Sequence, residues 1–324
     1  MEKIDKKDKR ILYELDKNSR RSFSNIGRKV GIKKNIVNYR INQLINKGII
    51  KNFATIIDAN KLGYYAIRSH IFYKNVSSDI EEAIINYFMN HPNIAWIGCC
   101  KGIFDLSFTL WTTDPYEFHH IWKNIQEKFS INFDKQSFHF YIKEIHYPLS
   151  FLLDNDYEIS DRQKPRITGD NKKIDFDKTD IEILKLLSSN ARISLSQMSL
   201  KINLTSEAIN YRIKQLIKNG IITGFSVIIN PFKIGYQIFK AYIYLDNYNN
   251  INKIINFIES NPNLITIDIS TAEFQIELEF YYQDITQFYK TMKELLSKFP
   301  NEIKNHADAA NIYMPTLKWF PLSE

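Results

Sequence analysis

Apolar residues recur at helical spacing from the start of the chain. Ile4, Ile11, Leu12 and Leu15 share one face with Asp8, which predicts a helix over residues 5–17. Ser22 is placed to cap a second helix that turns Ile26 and Val30 inward, and Gly31 then supplies a turn open to positive φ. A third helix over residues 33–47 carries Ile36, Val37, Ile41, Leu44 and Ile45 as its expected buried stripe, and Gly48 stops it. Two alternating runs, 49–53 and 54–58, predict a β-hairpin with Asn52 at its turn. Beyond Gly63 the pattern changes. Strands are expected over 66–73, 94–100, 103–111 and 137–146, and helices over 78–89 and 115–129, in the order βαββαβ.

This pattern then starts again. Residues 4–64 and 176–236 align without a gap at a shift of 172, and 27 of the 61 positions are identical. Tyr39-Arg-Ile-Asn-Gln-Leu-Ile-Asn-Lys-Gly-Ile-Ile50 returns as Tyr211-Arg-Ile-Lys-Gln-Leu-Ile-Lys-Asn-Gly-Ile-Ile222. Asn203 replaces Gly31 and Gly224 replaces Asn52. The period is too long for a solenoid of small repeats. It reads as two copies of one ancestral protein on one chain. In the second copy strands are expected over 239–245, 264–269 and 274–281, with a poorer one over 309–314, and helices over 251–260 and 285–299. The fold class is therefore α+β: two winged helix-turn-helix domains (1–64 and 172–236), each followed by a ferredoxin-like βαββαβ domain (65–150 and 237–324), with a polar linker over 151–171.

Charge sharpens the division. The chain carries +7 overall, but residues 1–64 hold sixteen Lys and Arg against six Asp and Glu, and residues 172–236 hold ten against five. The other segments are all net acidic. Positive charge confined to the helical modules is the footprint of a surface facing a polyanion. No apolar run is long enough for a membrane span, and the first residues have no apolar core of a signal peptide. Two adjacent cysteines, Cys99 and Cys100, make no disulfide framework, so a reducing cytoplasm is the expected setting. Their side chains point to opposite faces of a strand, and His119-His120 cannot converge on a metal from one helix. Neither a metal nor a cofactor is expected.

Three short helices with a tight turn before the third make a helix-turn-helix, whose third helix enters the DNA major groove by its N-terminal half. In the first copy that surface offers Lys33, Lys34, Asn35, Asn38, Tyr39 and Arg40. In the second it offers Thr205, Ser206, Glu207, Asn210, Tyr211, Arg212 and Lys214. Lys and Arg neutralise phosphates, while Arg and Asn also bond base edges. Tyr39 and Arg40, repeated as Tyr211 and Arg212, are equally suited to tying the third helix to the first.

The string Ile4-Asp5…Asp8…Ile11-Leu12…Leu15…Arg20…Ser22…Arg40-Ile41…Leu44…Gly48-Ile49-Ile50 resembles the leucine-responsive/asparagine-regulator (Lrp/AsnC) family of transcription regulators, and its second occurrence does too. The resemblance implies double-stranded DNA as partner, pairing of the second modules through their sheets, possible further assembly of whole chains, and a cytoplasmic, nucleoid-associated protein. It also implies a small effector, such as an amino acid, near a Gly-x-x-Asp turn. Gly102-Ile-Phe-Asp105 fits that turn, with Gly98 ahead of it, whereas the second copy reads Ala272-Glu-Phe-Gln275. Effector contact is therefore expected at Gly98, Gly102 and Asp105. Two other functions compete. Sirohaem decarboxylases use the same paired architecture, but their His-Cys-Tyr-x-Arg-Pro type signature is met here by Ile97-Gly-Cys-Cys-Lys-Gly-Ile-Phe104, without the His, Arg or Pro. A DNA-organising protein without sequence choice is the third reading.

Overall fold

The computed structural model describes residues 2–162, 164–169, 172–318 and 320. Gln163, Asp170 and Asn171 of the expected linker, and the final residues 321–324, lie outside the described residues.

Each copy opens with three helices: α1 (Lys6–Lys17), α2 (Phe23–Val30) and α3 (Lys34–Asn46), then strand β1 (Ile50–Ile57). Asp5 and Asp8 form a reciprocal capping box at the start of α1. Ser22 caps α2, and Gly31 ends it at φ 72°. The first sheet module follows as β2 (Tyr65–Tyr73), α4 (Ser78–Asn90), β3 (Ile94–Gly102), β4 (Leu106–Thr112), α5 (Pro115–Phe129) and β5 (Phe133–His146). A short strand, β6 (Arg166–Thr168), lies in the connecting segment. The second copy is α6 (Lys178–Ser189), α7 (Leu195–Ile202), α8 (Ser206–Lys218), β7 (Ile222–Ile229), β8 (Gln237–Leu245), α9 (Ile251–Ile258), β9 (Leu264–Ser270), β10 (Ile276–Tyr282), α10 (Ile285–Lys298) and β11 (Ile303–Leu317). Asn203 holds the turn after α7 at φ 58°, as Gly31 does in the first copy.

The expected wing hairpins do not form. Residues 50–57 run as one strand, and β1 pairs antiparallel with β7 of the other copy in a two-stranded ribbon. Asn52 and Gly224 sit inside these strands rather than at turns. Reciprocal bonds reinforce the ribbon. Ser19 N donates to Phe225 O at 3.1 Å and its counterpart Ala191 N to Phe53 O at 2.9 Å. Arg20 reaches the carbonyl of Ala191, and Arg192 that of Ser19. The third helices also depart from the expected stripe: Val37, Ile41 and Leu44 are buried, but Ile36 and Ile45 face outward.

The two sheet modules merge into one sheet of nine strands, in the order β2-β4-β3-β11-β8-β10-β9-β5-β6, and β2 also pairs with β5. Eight strands therefore close into a barrel. The long strands make the closure. The first half of β5 pairs with β2 of its own copy and the second half with β9 of the other, and β11 likewise passes from β8 to β3. Apolar side chains such as Ile71, Ile97, Phe108 and Leu110 face α4 and α5 outside the barrel. A second such core lies under α9 and α10.

The connecting segment is not a loose tether. β6 pairs with the end of β5. Asp156 holds Lys6 and Arg10, and Asp154 holds Lys9 at 2.6 Å, all on α1. Arg166 bonds the buried Asp16 carboxylate at 3.1 Å.

Candidate nucleic-acid interface and a charged chamber

The N-terminal half of α3 stands clear of the protein. Lys33, Lys34, Asn35 and Asn38 are exposed, and Tyr39 is 62% exposed. Lys33 is the N-cap of α3 and offers no capping side chain. On α8, Thr205 caps the helix by accepting from Ala208 N, and Glu207 lies exposed in the positive first turn. Ser206 and Asn210 are half-buried, Tyr211 is exposed like Tyr39, and Lys214 points outward. The two surfaces share one geometry and differ in charge.

Arg40 has a duty within the fold. Its guanidinium bonds Asp8 at 2.9 Å and Asp5 at 2.7 Å, tying α3 to the cap of α1. These bonds push its pKa above the usual value. Arg212 does the same with Asp180 and Asp177, at 2.9 and 2.8 Å. Arg40 and Arg212 are thus held at the edge of the exposed face, and the other candidates project from it.

The turn at Gly98, Gly102 and Asp105 is also committed to the barrel. Gly98 lies beside the Trp96 indole, where a Cβ would sit 2.5 Å from the ring. Gly102 takes φ 131° against the Asp308 carbonyl. The Asp105 carboxylate accepts from Tyr73 N at 2.9 Å, and Gln275 accepts from Leu245 N at 2.8 Å in the second copy. An amide and a carboxylate therefore do one job in the two halves.

What the sequence reading missed lies inside the barrel. Inward positions carry Arg68, His70, His139, Tyr141, Lys240, Asp268, Glu277 and Glu279, all buried. Glu277 receives bonds from Lys240 and from the Tyr141 hydroxyl. Burial opposes its ionisation, yet Lys240 and then Arg68 hold the Glu277 carboxyl well below the usual range. Asp268 goes the other way: burial first, then Glu144 and Glu277, push its pKa well above the carboxylate range. The Arg68 guanidinium is sandwiched between Trp96 and Tyr141, 4.2 and 4.3 Å from the ring centroids. Towards the other end His70 stacks on Phe104 at 4.0 Å. Burial keeps both histidines neutral, with His139 lowered to about 4. Cys99 and Cys100 are buried, and burial raises both thiols to about 12, so neither is a ready nucleophile. His119 and His120 are exposed, and no group of side chains among the described residues could hold a metal ion. No helix among the described residues is long and apolar enough to cross a membrane.

The barrel's charged end opens into a chamber of about 130 Å³, roofed by the β1–β7 ribbon at Ile56 and Val227. Its contact with both the barrel and the paired helical modules makes it the junction of the molecule.

Two exposed third helices on reciprocal three-helix modules define a helix-turn-helix DNA-binding protein. A family profile described as winged helix-turn-helix DNA-binding matches residues 4–51 and 176–223. An uncharacterised HTH-type transcriptional regulator of Pyrococcus furiosus is 30% identical over 124 residues, covering 37% of this chain and 79% of that protein. LrpA of Bacillus subtilis, also an HTH-type transcriptional regulator, is 29% identical over 137 residues, covering 41% and 93%. Each relative thus spans about one repeat. The chain belongs to the Lrp/AsnC family of DNA-binding transcription regulators, in tandemly duplicated form. A crystal structure of the siroheme decarboxylase NirDL shares the fold over nearly all of both chains, at TM-score 0.62 and 14% identity, covering 99% of this chain and 95% of that one.

Proposed function

We propose that the chain is a sequence-specific regulator that binds an imperfect palindrome as an internal pseudo-dimer. In this reading residues 1–64 and 172–236 are the two DNA readers. Residues 65–150 and 237–324 are the barrel halves, and 151–171 strap the first reader to the barrel. The observation that carries it is the pair of outward faces on α3 and α8, presented by modules joined through one ribbon. Lys33 and Lys34 supply phosphate contacts, and Asn35, Asn38 and Tyr39 reach base edges. In the second reader Thr205, Ser206, Asn210, Tyr211 and Lys214 do so, with Glu207 positioned to accept from a cytosine amino group. Arg40 and Arg212 orient the helices and take phosphates only at their margin. A small effector acts through the barrel. Sequencing DNA fragments selected by the purified protein tests this: an enriched motif with two unequal halves is expected, and enrichment without a motif would leave only a DNA-organising role.

The enzyme reading has one observation in its favour, the whole-chain likeness to a siroheme decarboxylase. Against it, residues 97–104 carry no His, Arg or Pro. The visible spectrum of the purified protein with an added iron porphyrin separates the two, because a stoichiometric Soret shift would favour the enzyme.

A further inference from the structure

Beside the junction of β5 and β6 a cleft of about 800 Å³ opens between the readers and the barrel. Its size is within the range of small-molecule sites. Four large apolar side chains line it, Tyr65, Phe140, Ile142 and Ile167, each 44–48% exposed. The Tyr65 and Phe140 rings meet edge to face, with 6.1 Å between centroids. Apolar surface gathered in one concavity with a polar rim marks a binding site rather than ordinary surface. The fold does not require it here. Phe140 pairs with Ile67, and the matching position of the second copy, opposite Phe239, holds Ala310. Tyr65 corresponds to Gln237. Ile167 belongs to the connecting segment, which lies outside the repeat.

Charge selects the ligand. Among the described residues Lys61, Lys143 and Lys173 line the cleft against one acid, Asp58. Oδ1 of Asp58 already accepts from Asn60 N and Gly169 N, at 3.2 Å each. The side chains of Lys143 and Lys173 make no hydrogen bond or ion pair among the described residues. Lys173 lies along Gly63, where a Cβ would stand 3.4 Å from its Nζ, so the glycine leaves room for the ammonium group. No Arg is among the described lining residues. Lysine point charges without an Arg fork suit a phosphate monoester, with about 1.5 to 2 negative charges, better than a planar carboxylate. Inorganic phosphate alone would leave the rings wet, and a neutral nucleoside would leave the lysines unmet. We infer that the cleft binds a nucleoside monophosphate, with its base on the wall of Tyr65, Phe140, Ile142 and Ile167 and its phosphate at Lys143 and Lys173. Thr223 of the second reader, Phe140 of the barrel and Ile167 of the connecting segment all line the cleft, so a bound nucleotide holds these three parts together. Any effect on DNA binding rests on the regulator reading; the site itself does not.

The test uses the full chain, freed of nucleic acid and titrated calorimetrically with AMP, GMP, CMP and UMP at constant salt. For the tightest binder, its nucleoside, inorganic phosphate and benzoate are titrated as well. Binding by at least one monophosphate is expected, with each of the three simpler molecules weaker by about tenfold or more. Lys143→Ala with Lys173→Ala should weaken the nucleotide by about tenfold or more and leave the nucleoside unchanged. Phe140→Ala, which copies Ala310, should weaken nucleotide and nucleoside alike. All these positions are at least partly exposed, and the melting temperature of each free variant checks that it folds. Lys33→Ala with Lys34→Ala should bind the nucleotide as the wild type does; a loss there would place the nucleotide on the first reader and overturn the site. No heat from any of the four nucleotides, equal affinity in wild type and the Lys143/Lys173 variant, or phosphate or benzoate binding as tightly as the nucleotide would overturn it too. Gel shifts without nucleotide read DNA binding separately. A chain that binds the nucleotide in the cleft but no DNA would sink the regulator and leave the site standing.

Discussion

Replacing His139 by phenylalanine should make the barrel more tolerant of acid. His139 lies inside the barrel, its ring 5.1 Å from His70 and edge-on to Phe274 at 5.2 Å. Its Nε2 has no hydrogen-bond partner. Burial lowers its pKa to about 4, with Glu277 opposing and Arg68 assisting. In the unfolded chain the value returns to about 6.5. The folded-state pKa is depressed, so this residue's contribution is present in full above pH 6.5. It is lost as the pH falls towards 4, because the unfolded chain takes up the proton first. The full loss is about 3.4 kcal/mol, from a fall of about 2.5 pKa units at about 1.36 kcal/mol each, and about 2 kcal/mol of it is gone by pH 5. His139 is 6% exposed, so solvent screening takes little from that figure. Phenylalanine fills the same slot and cannot be protonated. Urea unfolding of both proteins at pH 7.5 and pH 5 should show the variant losing about 2 kcal/mol less over the interval. Parallel losses in the two proteins would refute the assignment of the acid-sensitive step to His139.

Other outcomes follow from the readers and the turn. Lys33→Ala with Lys34→Ala should weaken DNA binding across all sequences and flatten the log–log salt dependence by about one to two, at roughly 0.9 per phosphate contact; equal slopes would refute the role. Glu207→Gln should change base preference in one half-site by about 1–3 kcal/mol, read by competition between half-site variants, and leave the other half unchanged. Asp105→Ala should cost about 1–3 kcal/mol in stability by leaving Tyr73 N unpaired. Asp105→Gln, which copies Gln275, should keep both stability and any effector response, and a lost response with retained stability would return the effector to that turn.

The parts of this fold that were legible in the sequence are those settled within a few residues. Ser22 and the Gly31/Asn203 pair mark helix ends by a local bond and local φ, and the structure uses each as read. The ribbon was not legible because its pairing is chosen between strands about 172 residues apart. Locally, residues 49–58 are an adequate hairpin, and only the presence of the second copy makes the other pairing available. Closure hid the interior charges in the same way. Glu277 and Glu279 alternate with Ile276, Leu278 and Phe280, which in one sheet reads as an apolar face on helices and a polar face on water. The long strands β5 and β11, each passing from its own copy's strands to those of the other copy, turn that polar face inward.

Fusion of the two copies gives the interior its asymmetry. In the strand ladders Arg68 pairs with Thr109 and His70 with Ser107, while the matching places in the second copy hold Lys240 with Glu279 and Tyr242 with Glu277. Two separate identical chains would have to carry each residue twice around the barrel. A doubled second copy would set four carboxylates from positions 277 and 279 around one axis, with only two lysines to hold them. A doubled first copy would face guanidinium to guanidinium with only Glu144 of each copy to offset them. Like charges buried together are expensive, and their cost falls only when opposite charges share the site. On one chain the halves are free to differ, so the first supplies Arg68, neutral hydroxyls and Glu144, and the second supplies Asp268, Glu277 and Glu279 with Lys240. The same freedom separates Lys33-Lys34-Asn35 from Thr205-Ser206-Glu207 on the outer face. An unequal chamber and unequal readers are therefore consequences of one event, and the ribbon between β1 and β7 joins them physically.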